Sequence, residues 1–339
     1  MKYRILGRTG ISVSEIGLGG HEYRRKHLVK DGRFTELDPK RTQLVAEALE
    51  RGVNYFDTTF IEECQSLGHS IRSAGIKRER MIISGMSIDI LNRKDKIDIA
   101  EWRKFAEKEI TERLALLNTD HFDVFHICAL ESGYSADKLS AVLSVMQEWR
   151  KRGLIRFIGA SAHDSDLLAE VIEERDPFDV VMARLNYHSG RHERLLEAVK
   201  NRNVGLAVIK PLVWFDYGVS FVPLCKSIIE ARKVGNVGAA QMALAWILQQ
   251  PEVSTIIPSA NSIDELRENA GASELSAEAV DYDLLEACNA MPDRSVEMIN
   301  LLDHPFEEVK LFAKQALVRS MGADFGFDKE RYRETLLRS

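Results

Sequence analysis

Apolar residues along this chain fall into two alternating patterns. Short continuous runs stop on a polar residue, and longer stretches carry apolar positions three and four residues apart. The runs lie at 16–20, 52–57, 81–86, 122–128, 155–161, 178–185, 204–210 and 253–257. Their length and their lack of a polar face predict buried parallel strands. The periodic stretches predict helices at about 39–51, 64–75, 99–118, 139–149, 164–175, 191–201, 237–249 and 262–270. Pro39, just after Asp38, suits a first helical position, and Trp102, Phe105, Ile110 and Leu114 mark one helix face. Eight strand-then-helix units predict an α/β fold, a closed (β/α)8 TIM barrel. Before them, residues 2–6 and 11–14 flank Gly7-Arg8-Thr9-Gly10, which predicts an N-terminal β-hairpin. The connection after the first barrel strand runs to about residue 38, long enough to suggest a functional loop. Beyond 292, Phe306, Val309, Phe312, Ala316 and Leu317 fit one helix face. The expected organisation is a barrel over 1–292 and a C-terminal helical extension over 293–339, packed outside the barrel, over its mouth or against another subunit.

Composition narrows the classes. The chain has 339 residues, 45% hydrophobic and 29% charged, as in ordinary globular proteins. A net charge of -6 argues against nonspecific nucleic-acid binding. No apolar run is long enough to span a membrane, and the N-terminus has no apolar signal region. Four cysteines (Cys64, Cys128, Cys225, Cys288) form no C-x-x-C pair, which fits a reducing cytoplasm. The expected partner is a small-molecule substrate, with a homo-oligomer left open.

The chemistry centres on Gly52-Val53-Asn54-Tyr55-Phe56-Asp57-Thr58, an apolar run that delivers Asp57 to a strand end. This stretch resembles the second strand of the aldo-keto reductase family. Three other segments are similar to that family in the same order. They are Tyr3-Arg4-Ile5-Leu6-Gly7-Arg8-Thr9-Gly10 running on to Gly17-Leu18-Gly19, then Leu154–Ser161, and then Ile256-Ile257-Pro258 with Leu266-Arg267-Glu268-Asn269. The resemblance implies a nicotinamide cofactor, NAD or NADP, across the C-terminal face of the barrel, and hydride transfer to or from a carbonyl carbon. It also implies an Asp, Tyr, Lys and His in catalysis. The carbonyl oxygen gains negative charge as hydride arrives, so a proton donor must stand beside it.

Of those four positions only Asp57 matches. Glu62 stands in the place of the tyrosine, Met86 of the lysine and Cys128 of the histidine. Two carboxylates at one mouth resist ionising together, which makes Glu62 a candidate acid; the plainer expectation is a solvated loop glutamate. Tyr23 and His21, in the long first loop, are further candidate donors. His126 shares a strand face with Cys128 and is expected to be a hydrogen-bonded core histidine one layer deeper. His163 follows the fifth strand. No ligand spacing supports a metal.

The cofactor side is better kept. The resemblance assigns Ser161 to the carboxamide and Arg184 to a cofactor-facing position. It assigns Lys210, Pro211 and Leu212 to the loop over the pyrophosphate, Ser259 and Asn261 to a helix entrance suited to phosphate, and Asn269 to the adenine. The phosphate-binding Lys and Arg of the family are here Ser259 and Glu265. A carboxylate at 265 repels a 2′-phosphate and can accept from a free ribose hydroxyl, which leans toward NAD, although Arg267 is near. The expected function is oxidoreduction of a carbonyl or hydroxyl on a small polar, sugar-like molecule. The alternatives are a barrel serving as a binding or regulatory subunit, and a lyase or epimerase using Asp57 and Glu62.

Overall fold

The structure, a computed structural model, describes residues 1–20, 29–30, 33–34, 39–87, 98–128, 136–187, 189, 192–214, 219–220, 237–283, 285, 295–303, 310, 313–314, 317–318 and 321–338. Strands β1 (Tyr3–Ile5) and β2 (Ser12–Ser14) form the antiparallel hairpin, with Tyr3 opposite Ser14. The barrel strands are β3 (Tyr55–Thr58), β4 (Ile82–Met86), β5 (Phe122–Ile127), β6 (Ile155–Ala162), β7 (Val180–Arg184), β8 (Gly205–Ile209) and β9 (Val253–Ile256). They form one parallel seven-stranded sheet in sequence order. The eighth expected strand is the short segment 16–18. It bridges Ile256 on one side and Phe56 on the other and so closes the sheet. Gly17 N donates to Ile256 O (2.7 Å), Leu18 N to Tyr55 O (2.9 Å) and Asp57 N to Leu18 O (3.1 Å).

Helices α1 (Pro39–Glu50), α2 (Ile61–Ser73), α3 (Ile99–Leu117), α4 (Ala136–Lys151), α5 (Ser165–Arg175), α6 (Glu193–Arg202), α7 (Ala239–Leu248) and α8 (Ile263–Gly271) alternate with the strands. Every residue of β3, β5 and β9 is buried. That is why these strands read as unbroken apolar runs. Arg4 fastens the hairpin to the closure: it donates to Glu15 Oε1 (2.7 Å) and to the carbonyls of Leu248, Gln250 and Val253.

Helix α2 starts earlier than its sequence pattern suggests, so Glu62 lies in its first turn and not in a loop. The N-cap residue, Phe60, has no side chain able to cap. Glu63, in the first turn, instead ties down the chain just before the helix, its Oε2 accepting from Thr59 N at 2.7 Å. Acidic side chains in a first turn also suit the positive end of the helix dipole.

Two charged networks are buried. Near the C-terminal ends of the strands, Arg113 of α3 donates to Glu109 Oε1 (2.8 Å) and to Thr59 O (3.0 Å), and reaches Cys64 Sγ at 3.7 Å. Ser87, just past β4, also donates to Glu109. This network ties α2, α3 and the loop after β3 together. At the opposite end, Asp123 accepts from Arg78, Arg156 and Ile83 N. Burial pushes the Asp123 carboxyl up, but His121, Arg78 and the Ile83 N–H outweigh it and hold it well below the usual carboxylate range.

In the C-terminal region, α9 (Ser295–Leu301) and α10 (Lys329–Arg338) pack together. Tyr332 is fully buried, and its Oη accepts from Phe325 N at 3.2 Å. Of the residues expected on one helix face there, Leu317 is buried, while Phe306, Val309, Phe312 and Ala316 lie outside the described residues.

Substituting Arg113→Met strands the Glu109 carboxylate and is expected to cost about 3–5 kcal/mol in urea denaturation. The double variant Arg113→Met/Glu109→Leu should recover most of that loss. Equal destabilisation in both would show that the charge pair is not what is felt.

Candidate active site

The C-terminal ends of the strands form the mouth. On the β3 side, Asp57 is buried, and the register sets it opposite Ser84 of β4. Ser84 Oγ donates to Asp57 Oδ1 at 2.5 Å, and Thr58 Oγ1 donates to Ser84 O at 2.9 Å. Ser84 therefore orients the Asp57 carboxylate. Glu62 and Glu63, both nearly fully buried, follow on α2. Glu63 closes on the first barrel loop: a Cβ on Gly20 would lie 3.0 Å from Glu63 Oε2 and 3.2 Å from Asp57 O. A larger residue here would have to push the Glu63 side chain or the Asp57 carbonyl aside by a few tenths of an ångström.

Met86 and Cys128 are buried at the ends of β4 and β5. Neither position offers the charge or the imidazole expected there. Tyr55, two residues before Asp57, does not replace the missing phenol. It is fully buried, its hydroxyl lies near Ser84 without a hydrogen bond of good geometry, and burial followed by the Asp57 charge pushes its pKa up. Tyr23 and His21 lie outside the described residues.

His126 is in the core, as expected. Neither ring nitrogen makes a hydrogen bond of good geometry among the described residues, although the Ala160 backbone lies close enough to act on the ring. The ring lies over Gly159, its cross-strand neighbour, where a Cβ would sit 2.3 Å from Nδ1. Burial, partly offset by the Ala160 carbonyl, lowers its pKa to about 4, so the ring is neutral. No group of three or more acidic, His or Cys side chains among the described residues could hold a metal.

The β6–β8 side is basic. Ser161 ends its strand beside Met182. Register pairs Ala162 with Ala183 and Ile209 with Arg184, so His163, Arg184 and Lys210 come together at three adjacent strand ends. Lys210 has φ +51°, a strained conformation for a non-glycine residue. Asn186, also buried, donates from Nδ2 to Lys210 O (3.2 Å) and so holds this turn, with Pro211 and Leu212 following.

At the last strand end, Ser262 caps α8 by accepting from Glu265 N (3.1 Å). Glu265 Oε2 accepts from Asn261 N (2.7 Å), so the carboxylate already occupies the helix entrance. Asn261 Oδ1 is buried without a hydrogen-bond partner among the described residues. Asn269, nearly fully buried, donates to Ser259 O (3.2 Å) and shapes this loop from below. Arg267 is engaged with Glu47 and Asp264. The entrance thus offers acceptors, which match hydroxyl groups, while the cations that match phosphate stand at β7 and β8.

Ser84, Glu63, Asn186, Arg113 and His192 are missing from the sequence reading. Ser84 was within reach, because it shares a strand face with Met86.

The model of the aldo/keto reductase family matches residues 15–290. L-galactose dehydrogenase of Arabidopsis thaliana is 24% identical over 317 residues, 86% of this chain and 94% of its own. An NADH-specific methylglyoxal reductase of Escherichia coli is 23% identical over 335 residues, 84% of this chain and 97% of its own. Among solved structures, the holo form of an aldo-keto reductase from Bacillus halodurans superposes with a TM-score of 0.61 at 19% identity, covering 85% of this chain and 96% of that one. The strand order, the closure by residues 16–18 and the family match agree: this chain belongs to the aldo/keto reductase family.

Proposed function

We propose that this chain is an NADH-linked oxidoreductase that interconverts a carbonyl and a hydroxyl on a small polar, sugar-like molecule, with Glu62 in the role that its family gives to a phenol. The observation that carries this reading is the division of the mouth. Arg184 and Lys210 suit the pyrophosphate of a dinucleotide, and Asp57 and Glu62 stand on the opposite, substrate side. The names of the plant galactose dehydrogenase and the bacterial methylglyoxal reductase point to the same kind of substrate.

The acceptors at the α8 entrance fit a ribose diol. Asn261 Oδ1 has no partner among the described residues, and the Glu265 carboxylate would repel a 2′-phosphate. In this reading Ser161 holds the carboxamide and Lys210-Pro211-Leu212 cover the phosphates. The bound nicotinamide would supply or accept the hydride. Ser84 keeps the Asp57 carboxylate oriented toward the mouth. Glu62, shielded from bulk water on the first turn of α2, carries the proton that the carbonyl oxygen receives. A barrel that binds nucleotide without turnover is the second reading, favoured by the buried Met86 and Cys128.

With NADH deuterated at C4 and a panel of aldehydes, ketones and sugar lactones, deuterium is expected in the product. Glu62→Gln should lower kcat by about 100-fold while leaving NADH affinity in place. Transfer that is undiminished in Glu62→Gln would remove Glu62 as the acid, and no transfer to any carbonyl would favour the non-catalytic reading.

NADH should bind about tenfold more tightly than NADPH, a difference of about 1.4 kcal/mol. Glu265→Gln should narrow that ratio, mainly by improving NADPH binding. Calorimetric titration measures both, and an NADPH preference in the wild type would contradict the assignment of Glu265.

A further inference from the structure

Two imidazoles stand against the basic strand ends. His163 follows β6 directly, and the Ala162–Ala183 pairing sets it beside Arg184. His192 lies at the N-terminus of α6 with φ +52°, its Nε2 3.2 Å from Ser189 Oγ. Ser189 is joined to Asn186, the same buried side chain that holds Lys210. One hydrogen-bonded chain therefore runs from His192 through Ser189 and Asn186 to the strained Lys210 turn, and Arg184 lies between the two imidazoles.

We propose that His163 and His192 complete, with Arg184 and Lys210, a proton-linked phosphate site, in which an incoming phosphoanion is held more tightly as the two imidazoles take up protons from solvent. The inference rests on the reading that this half of the mouth receives a dinucleotide's pyrophosphate.

The groups facing each imidazole define the electrostatics. For His163, desolvation and then the Lys210 and Arg184 charges hold the pKa below its ordinary value. For His192, desolvation and then Arg184 do the same against the pull of Asp166 and Asp164. Asp164 is also committed to capping α5, its Oδ1 accepting from Asp166 N and Leu167 N. Both rings are therefore neutral at neutral pH in the ligand-free protein. An anion seated against Arg184 and Lys210 cancels the charges that oppose protonation, and each ring pKa rises. Linkage makes the effect reciprocal: protonated rings raise the affinity for the anion by the same factor. The sign follows. Affinity climbs as pH falls through the ordinary histidine value of about 6.5, and it levels off once pH drops below the depressed ligand-free values.

The test is proton NMR of the imidazole Cε1–H signals, assigned with His163→Gln and His192→Gln. The protein is titrated with acid alone, with saturating NAD+, and with inorganic pyrophosphate. Both midpoints should rise with either ligand. The Kd for NAD+ should fall about fivefold between about pH 7.5 and about pH 6, and the double variant should lose that dependence. NAD+ bound with both midpoints unmoved would overturn the proposal. If NAD+ fails to bind but pyrophosphate raises the midpoints, the phosphate site stands and the cofactor reading falls. If neither ligand moves them, the site itself is refuted.

Discussion

The mouth of this barrel depends on the backbone hydrogen bonds that residues 16–18 make to both edges of the sheet. Through them, β3 and β9 are held against the same segment. The closure is directly coupled to the chemistry: Leu18 O holds the backbone of Asp57, and Gly19 N donates to Pro258 O at the head of the loop that leads into α8. Arg4 and Glu15 pin this segment from below, using one guanidinium to satisfy three carbonyls and a carboxylate. Without that closure the acidic and basic strand ends would belong to an open sheet and would not face one another.

Closure sorts charge around the rim. Asp57, Glu62 and Glu63 collect at β3 and α2, and Arg184, Lys210, His163 and His192 at β6–β8. The two halves are supported differently. The acidic half leans on buried polar contacts, Ser84 to Asp57 and Arg113 to Thr59. The basic half leans on backbone shape, the positive φ of Lys210 held by Asn186. At the acidic half, the Ser84 hydroxyl orients the buried Asp57 carboxylate from the neighbouring strand.

Much of the fold was legible in the sequence. Strands buried on both faces read as continuous apolar runs, and the family segments fell at their expected strand ends. The start of α2 was not legible, because Phe60 gives no capping signal and the Glu63 bond to Thr59 N reaches back outside the helix. That single miss placed Glu62 in a solvated loop, whereas it is buried. Glu109 and Arg113 look like an ordinary exposed helical pair at i, i+4, and only the packing of α2 against α3 buries them. The setting of the His126 ring was equally hidden, since no sequence pattern shows that a glycine opposite makes room for it. The basic cluster depends on register between strands far apart in sequence, which local patterns do not carry.

If the basic half of this mouth receives a nicotinamide dinucleotide, titration of the protein with NADH, followed by nicotinamide fluorescence, shows it most directly. The expected result is saturable enhancement or quenching that is weakened by Arg184→Ala. Fluorescence unaltered by NADH and by NADPH, in a protein whose circular dichroism shows a folded barrel, would contradict it.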